Sequence, residues 1–478
     1  MYTDVTYQDW LLTAEYERPK LLEKIIAEYR ASADFQAGLT ANAYFRAENP
    51  VVMSKTILRA RKAEYKDASG RRKAKAVTED VVGNRIASAF LYRFVTQQNQ
   101  FLLSEGVTLK DDATKGKLGH DFDEQLEQLG EKALLHGVAW GFWNAGKLEI
   151  IEAVKDNLSG AVALVDERTS EPMLLVQFWR VNPQRPMYVR LFTVDGVVEY
   201  RENKDKELEE ITPIRPYVLH TQTDALGTVV TGGHNYVMLP VRPLCANSER
   251  RSELTPAIKS KIDAYDRILS DFADNLDRAN DVYWVLNNFG GSMDDVAELL
   301  EQINRLKAVS NLSDGTGAAS TAEPHTIEVP YAAREKALDL LEKALYQDYM
   351  ALDLDELTGG SLTNVAIRAA TANLNLKANR YEWQVRQFVR QILLLSGIES
   401  DEIRFKRQSI ANESEMVADI AVMRQDIDQR TALKLNPYIQ EDEIDQIMGD
   451  VDAEVISGKP TMDELEKMLE EARRAGQE

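Results

Sequence analysis

The residues of this chain that could do chemistry fall into short groups, and most lack the neighbours that chemistry needs. A phosphate-cradling loop needs spaced glycines ahead of a Gly-Lys-Ser/Thr step. Lys115-Gly116-Lys117-Leu118 has neither the upstream glycine spacing nor the hydroxyl. Asp314 to Ser320 (DGTGAAS) resembles half of a dinucleotide loop, yet it follows no clear strand and opens no helix, so it reads as linker. GGSLT, Gly359 to Thr363, lacks the final glycine of a nucleophile elbow. The histidines (His120, His136, His220, His234 and His325) are never three or four apart, so none forms a helical metal-binding pair, and no motif supports one as a general base. Leu352-Asp353-Leu354-Asp355-Glu356 supplies three acids, but the GGSLTN that follows does not continue a calcium loop. Acid clusters at Asp111-Asp112, Asp294-Asp295 and Glu441-Asp442-Glu443 fit helix N-termini, where carboxylates favour the dipole. The one cysteine, Cys245, excludes a disulfide framework and a Cys-rich zinc site, and suits a reducing compartment. No metal, cofactor or catalytic residue is expected. An enzyme with an unrecognised site stays open, but nothing points to one.

Charge narrows the partners. The net charge of −21 favours solubility and argues against generic nucleic-acid binding, which leaves a basic footprint. The charge is uneven. Ile398 to Glu478 holds 21 acids against 10 bases, while Lys55 to Lys75 holds nine bases against Glu64 and Asp67. Both runs read first as solvated surface, and second as an acidic rim and a partner- or phosphate-contacting arm. No apolar run approaches the ~20 residues that span a bilayer, so no membrane is expected. The start, MYTDVTYQDW, lacks a basic segment before an apolar one, so no secretory signal is expected.

The elements that must position these residues follow from periodicity. The chain has 478 residues, which is too long for one core and predicts two to four domains. Residues 5–48 read as helical, with a break at Pro19. Asp80 to Gln98 predicts a second helix, with Val82, Ile86, Phe90 and Phe94 in one stripe, and Asp121 to His136 a third. From about Ala139 the pattern turns strand-like: VAWGFWN, KLEIIEAV, GAVALVDE, MLLVQFWRV, MYVRLFTV and GVVEYRE, with a hairpin turn at Asp195-Gly196. The strand pattern ends near Val241, so 1–252 reads as an α+β domain with a mostly antiparallel sheet. The period then returns to helical over Ser252 to Leu286, with Thr255 as N-cap and Pro256 at the first helical position. Ile258, Ile262, Tyr265, Leu269, Phe272, Leu276 and Tyr283 form its buried stripe. Asp263, Asp274, Asp277 and Asp281, with Ser270 between, form an acidic one. An irregular insertion, containing a short helix at MDDVAELLEQINRLKAV, separates this helix from a second one, Tyr331 to Ala351. A polar helix of more than thirty residues runs on to Gly397. Beyond it come a strand-like EIRFKRQ and helices at Ser414 to Gln429, Asp442 to Asp450 and Met462 to Ala475.

Taken in order, these stretches resemble the portal proteins of tailed bacteriophages, in particular the family of long-tailed phages. Four stretches carry the resemblance: NRIASAFLYRFVTQQNQFLLSEGVTL (Asn84 to Leu109), EKALLHGVAWGFWNAGKLEI (Glu131 to Ile150), ELTPAIKSKIDAYDRILSDFADNLD (Glu253 to Asp277) and TGGSLTNVAIRAATANLNLKANRYEWQVRQFVRQIL (Thr358 to Leu393). The resemblance spans roughly residues 40–450. It implies an α+β portal fold with an α/β wing over 1–252, whose sheet occupies about 139–243. A helical stem follows at 253–286 and 331–351, with a small clip at 287–330 between its helices. A tunnel loop at 352–362, a long tunnel helix at 363–397 and an α-helical crown at 398–478 complete the map.

The same resemblance implies a ring of about twelve identical subunits, closed by a heterologous interface, at one capsid vertex. Double-stranded DNA enters and leaves through its channel. A separate terminase supplies energy and docks at the clip, where head-completion or adaptor proteins later bind. Major capsid and scaffolding proteins are further partners. Such a protein is a virion component assembled in the host bacterial cytoplasm, and is not an enzyme. Asp263, Asp274, Asp277 and Asp281 become candidates for the channel face, since an acidic wall lets DNA slide where a cationic one would hold phosphates; the alternative for each is a salt bridge between subunits. Gly359 and Gly360 would free the tunnel loop, which also contains Ser361 and is flanked by Asp353, Asp355 and Glu356. Lys377 and Arg380 could touch DNA or pair with a neighbouring subunit, and pairing is favoured. Trp383, Phe388, Ile392 and Leu395 are expected in core or interface. Another ring- or shell-forming phage structural protein, a connector or capsid component, is the alternative.

Overall fold

The computed structural model describes residues 3–66, 72–223, 229–279, 283–287, 321–325, 331–353, 364–400, 402–407, 420–423, 428–436, 439 and 444–449. The chain divides into two compact units, one of 1–351 with 374–408 and one of 352–373 with 409–478.

In the first unit the N-terminal third is helical. It comprises α1 (Tyr7–Leu12), α2 (Arg18–Ala31), α3 (Ala33–Phe45) and the short α4 (Pro50–Met53). The first break falls at Thr13, ahead of Pro19, and Pro19 instead sits inside the first turn of α2, where a missing N–H costs nothing. Two long strands, β1 (Thr56–Lys66) and β2 (Arg72–Val82), pair antiparallel from Thr56↔Val82 to Lys66↔Arg72. The basic run Lys55 to Lys75 is therefore largely a two-stranded arm. The predicted helix from Asp80 is corrected here: β2 ends at Val82, 83–89 is extended, and the helix α5 covers Phe90–Leu103.

After β3 (Val107–Thr108) and α6 (Asp112–Gly116), α7 (Phe122–His136) forms as its periodicity predicts, burying Phe122, Leu126, Leu129 and Ala133. It stops at Gly137, whose φ of +84° and N–H to Ala133 O (2.8 Å) make a left-handed cap. A side chain there would collide with the Arg250 carbonyl.

The strands β4 (Val138–Asn144), β5 (Lys147–Glu152), β6 (Val154–Asp156), β7 (Ser159–Val165), β8 (Pro172–Trp179), β9 (Tyr188–Thr193), β10 (Gly196–Glu202), β11 (Leu208–Arg215), β12 (Val218–Thr223), β13 (Val229–His234) and β14 (Val241–Cys245) follow. Every strand pair among the described residues is antiparallel. A six-stranded meander runs β11-β10-β9-β8-β7-β6, and a three-stranded sheet runs β14-β4-β5. The β9–β10 turn holds Val194 and Asp195, with Gly196 (φ +139°) already paired to Thr193. Six of the seven residues of β4 are buried, so it reads as a continuous apolar run instead of alternating.

The helix α8 (Pro256–Ala279) starts as predicted. Pro256 leads it, and Thr255 Oγ1 accepts the Ile258 N–H at 3.3 Å. It ends earlier than predicted. Tyr283–Asn287 is a strand, β15, paired with β16 (Thr321–His325), because aromatic and β-branched residues favour the extended form. The helix α9 (Tyr331–Tyr349) follows. Then comes α10 (Asn364–Ser396), of which 374–396 belongs to the first unit. The strand-like EIRFKRQ reduces to β17 (Arg404–Phe405), paired with β3. In the second unit α11 (Gln429–Leu435) is capped by Asp428, whose carboxylate accepts the Thr431 N–H. The short helix expected at 293–309 and the last one, 462–475, lie outside the described residues.

Among the described residues the first unit has two apolar cores. One joins α3, α5, α7, α8, α9 and α10, and the other packs α1 and α2 on the six-stranded sheet. The sheet β14-β4-β5 lies between and contributes to both. Gly141 of β4 lets α10 approach: a Cβ there would lie 2.5 Å from Phe388 Cζ.

Candidate functional site

The candidate site of the sequence is the acidic side of α8, and the structure gives that side a partner within the same chain. The extended segment 83–89 runs antiparallel along α8 as a strap. Asp274 Oδ1 accepts the Asn84 N–H at 2.7 Å. Ser270 Oγ accepts the Ile86 N–H at 3.1 Å and donates to the Ile86 carbonyl at 3.3 Å. Asp266 Oδ1 accepts the Ser88 N–H at 3.0 Å. The spacing is a matter of geometry. Four residues of helix advance about 6.0 Å and two residues of extended chain about 6.6 Å, so positions 274, 270 and 266 fall opposite amides 84, 86 and 88. Three helix side chains thus do for the strap what a neighbouring strand would do. Gly83 is where the strap comes closest, since a Cβ there would lie 3.0 Å from Asp274 Oδ2.

Side chains complete the clasp. Asn49 Nδ2 donates to Asp266 Oδ2 and to the Ser88 carbonyl. Lys55 Nζ sits 2.6 Å from Asp274 Oδ2 and 2.7 Å from Asp271 Oδ1. Tyr44 donates to Asp263, whose other oxygen takes Lys259 Nζ at 2.7 Å. Asp266 and Ser270 are fully buried, and Asp274 is 7% exposed. Burial raises the Asp266 carboxyl pKa, against the hydrogen bonds from Ser88 and Asn49. Burial also pushes Asp274 upward, but Lys55 and the Asn84 amide outweigh it and hold that carboxyl below its ordinary range.

The acids expected at the channel face have the following places in the structure. Asp263 and Asp274 are paired within their own chain, Asp263 by Tyr44 and Lys259 and Asp274 by Lys55 and the strap, which is 190 residues away in sequence. Asp277 is exposed and accepts Asn84 Nδ2 at 2.7 Å. Asp281 lies outside the described residues. Asp266, which the acidic stripe of the sequence omitted, is the most buried member. Its signal was available in the i, i+4, i+8 spacing of Asp266, Ser270 and Asp274 beside an apolar stripe.

Lys377 is placed differently from either expectation, DNA contact or pairing with a neighbouring subunit. Its Nζ lies 2.8 Å from Glu253 Oε2, 2.9 Å from the Tyr349 carbonyl and 3.1 Å from the centre of the Tyr349 ring. Burial lowers its pKa, and Glu253 offsets part of that. The pairing is therefore within the chain, joining α10 to the start of α8 and the end of α9. Arg380 is exposed. Phe388 and Ile392 are in the core, with Leu395 packed beside them, whereas Trp383 is 69% exposed. Asp353 is half-buried, while Asp355, Glu356, Gly359, Gly360 and Ser361 lie outside the described residues. Among the described residues no group of three His, Cys, Asp or Glu side chains is placed to hold a metal ion, and no helix is long and apolar enough to cross a membrane.

Comparison with known proteins gives a consistent answer. The family model described as phage portal protein, SPP1 Gp6-like, matches residues 42–478. The portal protein of Clostridium phage phiCD119 is 24% identical over 422 residues, covering 84% of this chain and 89% of that protein. The portal protein of Bacillus phage SPP1 is 24% identical over 459 residues, covering 88% of this chain and 84% of that protein.

Proposed function

Because this chain belongs to the SPP1 Gp6-like family of phage portal proteins, we propose that about twelve copies close into a ring at one capsid vertex and form the channel through which double-stranded DNA is packaged and ejected. Portal proteins are structural virion components, and their family implies a ring oligomer among phage head components. The observation that carries the reading is the family match over residues 42–478. Terminase, then head-completion or adaptor proteins, dock on the clip at 287–330, and capsid and scaffolding proteins surround the ring. The wing is 1–252, the tunnel loop 352–362, the tunnel helix 363–397 and the crown 398–478.

The stem is the antiparallel pair α8 and α9, tied by Lys261 to Asp348 and by the Phe272 and Tyr331 rings 5.7 Å apart. Neither of these links carries chemistry. Both hold two helices as one strut, which is what a channel wall under load requires. The channel wall repels DNA at short range through exposed carboxylates such as Asp277, so that phosphates slide without being held.

The test is the native mass of the purified chain, with negative-stain images of the same sample. Rings of about a dozen 54.0 kDa copies with a stain-filled hole support the reading. An extended shell of copies would favour a capsid component instead. A chain that stays monomeric at every concentration, with and without scaffolding protein, would sink it. Removing 287–330 should leave the rings and abolish terminase binding; loss of the rings, or retained binding, would overturn the clip assignment.

A further inference from the structure

The chain buries one arginine whose guanidinium it does not use in full. Arg242 of β14 is 5% exposed and stands opposite Gly141 across the β14–β4 ladder, on the side that α10 approaches. Its Nε donates to Gln391 Oε1 of α10 at 3.0 Å, and its Nη2 to Glu171 Oε2 at 2.7 Å. Nη1 carries two more N–H groups and has no hydrogen-bond partner among the described residues. Buried donors left unmet cost free energy, so they are met by the chain's own acceptors or by something that enters. Nη1 is not sealed in, because Arg242 forms part of the wall of an open cavity of about 300 Å³. Three elements complete that wall. The β7–β8 turn supplies Glu171, the segment after β14 supplies Arg250, and α10 supplies Gln384, Gln387 and Gln391. The i, i+3, i+7 spacing of the glutamines puts their amides on one side of the helix.

We infer that this cavity is a binding site for one small oxyanion, of phosphate or carboxylate type, held on Arg242 Nη1 with Arg250 and the glutamine amides of α10 as the other donors. The charges select an anion. The wall holds two arginines against one glutamate, in a chain whose net charge is −21. Glu171 already balances one guanidinium, and Arg250 is left to balance the ligand. An oxyanion also offers what Nη1 lacks, since charge-assisted N–H···O bonds are about twice as strong as neutral ones. The cavity's volume suits a single ion or a small organic acid. Duplex DNA fits less well, because a phosphate fixed on a stiff rod does not reach so deeply buried a side chain. The inference goes beyond the ring proposed above and does not depend on it.

The experiment is equilibrium dialysis of the full chain against radiolabelled inorganic phosphate, in chloride at constant ionic strength, beside the variants Gln387→Glu and Arg250→Gln. Gln387 is exposed and Arg250 half-buried, so circular dichroism and melting of both variants should match the original chain. The unmodified chain should bind one phosphate per copy, saturably. Each variant should bind it roughly tenfold more weakly, one by placing a carboxylate at the rim and the other by removing a charged donor. Unlabelled acetate identifies the source of the oxyanion: displacement of the phosphate extends the site to carboxylates, and no displacement restricts it to phosphate, and the site stands in either case. Binding that either variant leaves unchanged would put the phosphate elsewhere, on the basic arm for example, and overturn the inference. Absence of saturable binding up to about 50 mM phosphate would overturn it as well, since the cavity would then hold only water.

Discussion

The strap on α8 makes a prediction whose size follows from its hydrogen bonds. Ser270→Ala removes the acceptor of the Ile86 N–H and the donor to its carbonyl together. A neutral pair of this kind is worth about 1.5 kcal/mol net, and 1.4 kcal/mol is a factor of ten in an opening equilibrium. Hydrogen exchange of a peptide covering 83–89 should therefore speed up roughly tenfold. Asp266→Ala removes a buried acceptor from both the Ser88 N–H and the Asn49 amide. Bonds to a charged group are worth about 1.5–3 kcal/mol each, and relief of the buried carboxyl returns part of that, leaving about 3 kcal/mol or roughly a hundredfold. Asp266→Asn keeps one acceptor and should fall between. The contrast matters more than either value. If the acidic side of α8 faced open water, both variants would leave exchange over 83–89 unchanged, and that result would refute the strap.

Four further outcomes are expected. Lys377→Met should lower stability by about 3 kcal/mol or more in a denaturant titration, because it strands a Glu253 side chain that is 14% exposed; adding Glu253→Gln should restore part of the loss. His136 is buried with its pKa lowered to about 3, first by burial and then by Lys132. Between pH 6.5 and about 3 the unfolded chain therefore binds one more proton than the folded one, so this residue removes stability as pH falls, at up to about 1.4 kcal/mol per unit; a chain with His136→Gln should show a shallower slope there. Gly137→Ala should cost about 3 kcal/mol, since the left-handed backbone and the Arg250 carbonyl both oppose a side chain, and an unchanged denaturation midpoint would contradict the cap. If Asp277 lines the proposed channel, Asp277→Lys in assembled rings should tighten duplex binding and steepen its salt dependence relative to Asp277→Asn, and equal binding by the two would overturn that placement.

What the sequence made legible was local. The helix at Phe122–His136, the cap at Thr255 with Pro256, and the strands from Val138 to Glu202 all follow from periods that neighbouring residues enforce. The segment from Asp80 shows why the rest was hidden. Val82, Ile86, Phe90 and Phe94 repeat every four residues, which fits a helix, but four is also twice the strand period, so the spacing cannot tell the two apart. The chain uses both, extended to Ala89 and helical from Phe90. The basic arm was hidden because β1 and β2 are defined by pairing with each other, from Thr56↔Val82 to Lys66↔Arg72, which no local period announces. The fate of the acidic stripe could not be read locally at all. Whether Asp274 meets solvent or a strap depends on Asn84 and Lys55, and nothing within a turn or two of α8 announces them.

The two polar clasps explain why α8 carries so much buried charge. An apolar stripe such as Ile258, Ile262 and Tyr265 specifies which face of a helix is buried. It specifies position along the axis poorly, because a slide of one turn, about 5.4 Å, brings similar side chains back to similar holes. Buried donors and acceptors do not tolerate that slide, since every one of them would be left without a partner. At one end Glu253, just ahead of α8, meets Lys377 of α10 and, through it, the Tyr349 carbonyl of α9. Further along, Asp266, Ser270 and Asp274 meet the amides of the strap. The helix is thus pinned in register against α9, α10 and the segment that follows the basic arm. A helix gains fixed register from such buried polar positions, which additional apolar area would not supply, and Asp266, Ser270 and Asp274 are the means by which α8 obtains it.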